Sequence, residues 1–193
     1  MNTSARTVRW MTVAAVSVAA VTAALSLAAP AASSAPRGSA DAPTTAPCTA
    51  SDLGVWVAAD QRAAAMGTMY APLEFTNLSR RACTMHGFPR ISAISGSRQL
   101  GSPATRDHAV PASTVRLAPG ATAYALLEYS EGATSNCPSG SRILGFELRV
   151  YPPGQRQADH ALWGFPACMA KGSPVFLRVR VIVPGIGVRG DSG

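Results

Sequence analysis

After about residue 50, apolar and polar residues alternate with a period of two in several stretches of this chain. The clearest stretch sets Leu144, Phe146, Leu148 and Val150 against Gly145, Glu147 and Arg149. A second sets Val175, Leu177, Val179, Val181 and Val183 against Arg178 and Arg180, and a third sets Leu73, Phe75 and Asn77 against Glu74 and Thr76. Successive side chains of a strand point to opposite faces, so this period predicts strands with one buried face. Leu53, Val55 and Val57 predict a first strand, Ile91 to Ile94 a short one, and Val115 with Leu117 another. That last strand leads through Ala118-Pro119-Gly120 into a strand over Ala121 to Tyr129. Breakers separate the runs: Gly87-Phe88-Pro89, Gly96, Pro103, Pro119-Gly120, Pro138, Pro152-Pro153-Gly154 and Pro184-Gly185. The alanine-rich stretch from Ala58 to Met66 predicts at most a turn of helix, stopped by Gly67. Roughly seven short strands with regular turns and no helical stripe predict an all-β fold, a single antiparallel β-sandwich of the immunoglobulin-like kind. Trp56 and Trp163 read as core or sheet-surface aromatics.

The N-terminus has a different pattern. Arg6 and Arg9 precede an uncharged, Ala- and Val-rich stretch from Trp10 to Ala29, and Ala29-Pro30-Ala31 is a small-x-small site. Residues 1–31 therefore predict a signal peptide cleaved after Ala31. The alternative is an uncleaved membrane anchor, which also places the domain outside because the positive end stays in. Residues 32–47, rich in Ala, Ser, Thr and Pro, predict a disordered linker. The domain is then expected over 48–184, with a flexible Gly-rich tail over 185–193.

The four cysteines, Cys48, Cys83, Cys137 and Cys168, all follow the signal segment. Even in number and exported, they predict two disulfides. Three pairings are possible, and loop-closure entropy is too similar among them to choose. Cys48–Cys83 with Cys137–Cys168 is preferred, because each bridge then ties neighbouring strands within one half of the domain. Zinc is disfavoured, since the chain has no Cys-x-x-Cys pair.

Several of these segments together resemble a known family. Cys48-x3-Asp52-Leu53, Leu73-Glu74-Phe75-Thr76-Asn77 and Cys83-Thr84-Met85-His86-Gly87-Phe88-Pro89 occur in order. Leu117-Ala118-Pro119-Gly120-Ala121-Thr122-Ala123, Cys137, Pro152-Pro153 and Cys168 follow. This series is similar to the exported bacterial proteins known as domain of unknown function 4232, over residues 48 to 183. The resemblance implies an exported β-sandwich and implies no activity.

Charge and candidate chemistry narrow the function without naming it. The chain carries a net charge of +7, which becomes +5 without Arg6 and Arg9. The arginines are scattered, and the tightest clusters are Arg80-Arg81 and Arg178-x-Arg180, so a nucleic-acid partner is not expected. The charge reads first as dispersed and solubilising, with an anionic cell-wall polymer or a membrane surface as the other reading of a basic exported domain. The partner is expected to be a cell-envelope polymer or an extracellular protein. No serine has glycine at both flanking positions of a nucleophile elbow, and His86, His108 and His160 lack a zincin pattern. Met66-x-x-Met69 and Met85-His86 are soft donors of the type that suits Cu(I), but no Met/His repeat accompanies them. No catalytic residue, metal or cofactor is expected. Arg189-Gly190-Asp191 reads as chance, and the sequon Asn77-Leu78-Ser79 is uninformative in an exported bacterial protein. The expected role is a secreted, non-catalytic cell-envelope or extracellular interaction domain. Two alternatives are a protease inhibitor presenting Ser135 to Arg142, and a sandwich that holds a small ligand in an apolar cleft.

Overall fold

A computed structural model describes residues 45–169 and 173–187. The signal segment, any N-terminal anchor, most of the linker and the Arg189-Gly190-Asp191 tripeptide lie outside the described residues. The strands begin with β1 (Leu53–Val57), β2 (Ala63–Ala65), β3 (Thr68–Asn77), β4 (Cys83–His86), β5 (Arg90–Ser95) and β6 (Arg98–Leu100). They continue with β7 (Thr105–Arg106), β8 (Thr114–Leu117), β9 (Thr122–Ser130), β10 (Arg142–Tyr151), β11 (Asp159–Cys168), β12 (Leu177–Val179) and β13 (Val183–Pro184). One short helix, α1 (Glu131–Ser135), follows β9.

These strands form an antiparallel β-sandwich. One sheet has seven strands in the order β1-β3-β9-β12-β7, with β2 added to β3 and β13 added to β9. The facing sheet has four, in the order β11-β10-β5-β6, and β4 with β8 makes a two-stranded sheet. The contact of β12 with β7 is parallel and two residues long. Inward residues of all three sheets share one core: Leu73, Phe75, Leu127 and Tyr129 from the large sheet, Leu148, Trp163 and Phe165 from the facing sheet, and Met85 and Leu117 from the small one. Tyr129, Trp163, Phe165 and Phe176 pack ring against ring with centroids 5.1 to 6.3 Å apart, at tilted and edge-on angles that suit the ring quadrupole.

Some elements depart from the alternation in the sequence. In β10 the register shifts between Gly145 and Glu147, a bulge that reverses the side-chain order. Leu148 and Val150 are fully buried, whereas Leu144 and Phe146 face outward and Gly145 takes the inward position. The valine-rich run near the C-terminus is also not one strand. Leu177, Val179 and Val181 are buried as the alternation predicts, but so are their neighbours Phe176 and Ile182, while Val175 is exposed. The chain leaves the sheet after Val179 and returns only at β13.

The alanine stretch from 58 to 66 makes one 3₁₀ turn, Ala59–Gln61, and then a strand rather than a helix. Met66 and Gly67 both have positive φ, 48° and 76°, which closes a two-residue hairpin between β2 and β3. Strand pairing there overrides the helical preference of alanine.

Two disulfides staple the sandwich. Cys48–Cys83 joins the entry to the domain with β4, and Cys137–Cys168 joins the segment after α1 to the end of β11. No described cysteine is free. Such bridges suit an oxidising, extracellular environment. No described helix is long and apolar enough to cross a membrane.

Candidate functional site

The three histidines take separate partners. His86 is exposed on β4, with its Nδ1 3.4 Å from the Thr114 hydroxyl. His108 packs against Phe88 at a tilt of 54°, with ring centroids 4.7 Å apart. His160 lies 2.7 Å through Nδ1 from Glu147 Oε1. The soft donors do not converge either. Met85 is buried in the core while His86 points out from the opposite face of the same strand, and Met66 projects at a hairpin tip away from the half-buried Met69. Among the described residues, no group of three or more His, Cys, Asp or Glu is placed to hold a metal ion.

Asn77 is a structural hub rather than a glycan acceptor. Its side chain is fully buried, and its Nδ2 donates to the carbonyls of Arg81 and Leu117 at 2.8 and 3.1 Å. Its Oδ1 accepts from the backbone N–H and hydroxyl of Ser79. The Ser135 to Arg142 segment is held at one end by Cys137 and folded by a turn in which Ser141 N–H donates to Pro138 O. Trp163 is buried in the core and Trp56 is half-exposed on the sheet surface.

The structure assembles a groove of about 380 Å³ that the sequence did not reveal. It is lined by Phe88, Arg90, Arg106, Pro152, Gly154, Gln155 and Arg156. Four segments meet there: the turn after β4, the start of β5, β7, and the turn after β10. Arg90 opposes Tyr151 across the β5–β10 ladder, so its guanidinium lies over the Tyr151 ring, 4.4 Å from the centroid. It also donates through Nη2 to Gln155 O at 3.1 Å. Arg106 lies over Phe88 at 5.7 Å. The turn that carries Gln155 and Arg156 closes with Gln155 N–H donating to Pro152 O, and Gly154 adopts φ 75°. That is a left-handed conformation that glycine takes without strain.

Among the described residues, no acidic side chain lines this groove, and Arg90, Arg106 and Arg156 have no carboxylate partner. Two of the three guanidiniums are set on aromatic faces before any ligand arrives, and all three residues are exposed. A planar fork of N–H donors held in this way is suited to a carboxylate or phosphate oxygen pair.

A second groove, of about 480 Å³, lies on the outer face of the large sheet and includes Tyr70, Glu128 and Arg178. Its charges are balanced. Arg178 opposes Glu128 in register, and Arg180 reaches both Glu128 at 3.1 Å and Asp107 at 3.4 Å. Further along the same face is Glu74, nearly inaccessible to solvent. Burial pushes its carboxyl above the ordinary value, against hydrogen bonds from Gly187 N–H and the Trp56 indole, and its Oε1 has no partner. This second face holds acids beside its arginines, whereas among the described residues no acid lines the arginine groove.

Two segments by which the chain resembles a family, Gly87-Phe88-Pro89 and Pro152-Pro153, meet at the arginine groove. No curated protein and no solved structure matches the chain. The sequence model of the family described as domain of unknown function (DUF4232) matches residues 48–179, from the first cysteine to the end of β12, and the chain belongs to that family.

Proposed function

We propose that this protein is a secreted, non-catalytic domain that binds an anionic partner outside the cytoplasm, a cell-envelope polymer or an extracellular protein. The observation that carries this reading is the groove in which Arg90, Arg106 and Arg156 stand without carboxylates beside two aromatic rings. Arg180 differs, being held by Glu128 and Asp107 within the fold, and what sets the groove apart is that three unpaired arginines converge there beside two aromatic rings. A paired arginine adds little to ligand binding, while an unpaired one leaves its field open to a partner. The two disulfides support the extracellular part of the reading.

The test uses the chain produced with its own export segment and recovered oxidised from the medium. Intact mass under non-reducing conditions should show the segment removed and both bridges formed. Retention on an immobilised polyanion, such as polyphosphate, should weaken as salt rises. The triple variant Arg90→Ala, Arg106→Ala, Arg156→Ala should lose most of that retention, while Arg80→Ala with Arg81→Ala should keep it. Equal loss in both sets would reduce the groove to bulk charge. Turnover in a hydrolase screen that His86→Ala abolishes would remove the non-catalytic reading.

A further inference from the structure

We infer that the outer face of the four-stranded sheet docks on the surface of an anionic lipid bilayer; this rests on the reading of the arginine groove given above. The face is amphiphilic. The bulge in β10 turns Leu144 and Phe146 outward, and Leu162 of β11 stands beside them. Their exposures are 52%, 60% and 77%, so three large apolar side chains project into solvent from β10 and from β11, the edge strand beside it. Gly164 puts no side chain beside the Phe146 ring, which a Cβ there would touch at 3.7 Å. A patch of this kind marks a surface that meets a partner.

Charge selects the partner. The same face carries Arg142 and Arg149 on β10 and Arg90 at the start of β5, and Arg90 belongs to the groove as well. Glu147, the acid that β10 adds to this face, is engaged by His160 at 2.7 Å. Basic residues flanking exposed Leu and Phe are the pattern by which peripheral proteins meet anionic headgroups. The apolar side chains enter the acyl boundary and the guanidiniums stay at the phosphates. A soluble polyanion would use the groove and leave Leu144, Phe146 and Leu162 in water. A bilayer uses both.

The experiment is flotation of the oxidised protein with vesicles of mixed phosphatidylglycerol and phosphatidylcholine, and with phosphatidylcholine alone. The expected result is binding to the mixed vesicles only, weakened by salt. Replacing Phe146→Ser together with Leu162→Ser should weaken it about tenfold, from the apolar area no longer buried. Both side chains are exposed, so near-UV circular dichroism should show the fold retained. The double variant should still bind soluble polyphosphate as the parent does. If the parent binds polyphosphate but no vesicle, the bilayer inference falls and the groove reading stands. If it binds neither, both fall. If mass measurement in solution shows a dimer that the double variant dissociates, the face is a self-interface and the bilayer inference falls.

Discussion

Two carboxylates show how the same side-chain chemistry serves opposite ends. Asp52 accepts from the hydroxyl and backbone N–H of Thr49 at 2.6 and 3.0 Å, and these bonds hold its pKa below the ordinary value. A lowered carboxylate stabilises the fold above its unfolded pKa, and that contribution is lost as pH falls through the folded value. Glu74 is the reverse. Burial raises its pKa, so the folded state favours the protonated form and stability falls as pH rises from the ordinary value of 4.5 through the raised one. Glu74→Gln should therefore raise the melting temperature at neutral pH and flatten the melting profile across the mildly acid range; no change at neutral pH would show that the buried carboxylate costs nothing. Asn77 has no such slack, because its buried amide meets two carbonyls and Ser79 at once. Asn77→Ala should cost about 3 kcal/mol, since it orphans buried carbonyls as well as deleting bonds, with chemical denaturation as the measure.

Among elements, period two located strands well and placed their faces less well. β1, β3, β5, β8 and β9 lie where alternation predicts them, with Leu73, Phe75 and Leu127 fully buried. In β10 the pattern names the strand but misassigns half its face, because a bulge adds one residue and apolar side chains on the two sides of it then point opposite ways. β11 escaped notice although it alternates: Ala161, Trp163, Phe165 and Ala167 are buried, and the outward residues are His160, Leu162, Gly164 and Pro166. Two of those four are breakers and one is apolar, so the polar half of the signal is missing. The turn after β6 shows a constraint that only packing reveals. Gly101 has φ 62°, and a Cβ there would lie 2.4 Å from Cε1 of the buried Phe176 ring. Gly101→Ala should cost about 3 kcal/mol, from left-handed strain plus displacement of a core ring, read as a shifted denaturation midpoint.

For the whole molecule, the bridges act on the unfolded chain as much as on the folded one. Cys48–Cys83 closes a separation of 35 residues and Cys137–Cys168 one of 31, and the chain-entropy model assigns each roughly 4 kcal/mol. Replacing Cys48 and Cys83 together by Ser should lower the stability by about that amount. An unchanged midpoint in the double variant would mean that the core alone sets the stability. The two bridges lie in different parts of the sandwich, one at β4 and one at β11, so their removal should be close to additive.

Period two and the spacing of breakers were enough to establish an all-β sandwich from the linear chain, because these signals are local and repeat within a few residues, and the family was legible in the order of short segments such as Cys83 to Pro89 and Leu117 to Ala123. The candidate site was not legible in the same way. Its arginines stand at 90, 106 and 156, far apart in sequence, and look like scattered solubilising charge until β5, β7 and the turn after β10 are brought together. Which side of β10 meets water was likewise decided by a single inserted residue whose effect depends on the partner strand. Strand identity is a property of neighbours along the backbone, whereas a groove and an exposed face are properties of neighbours across it.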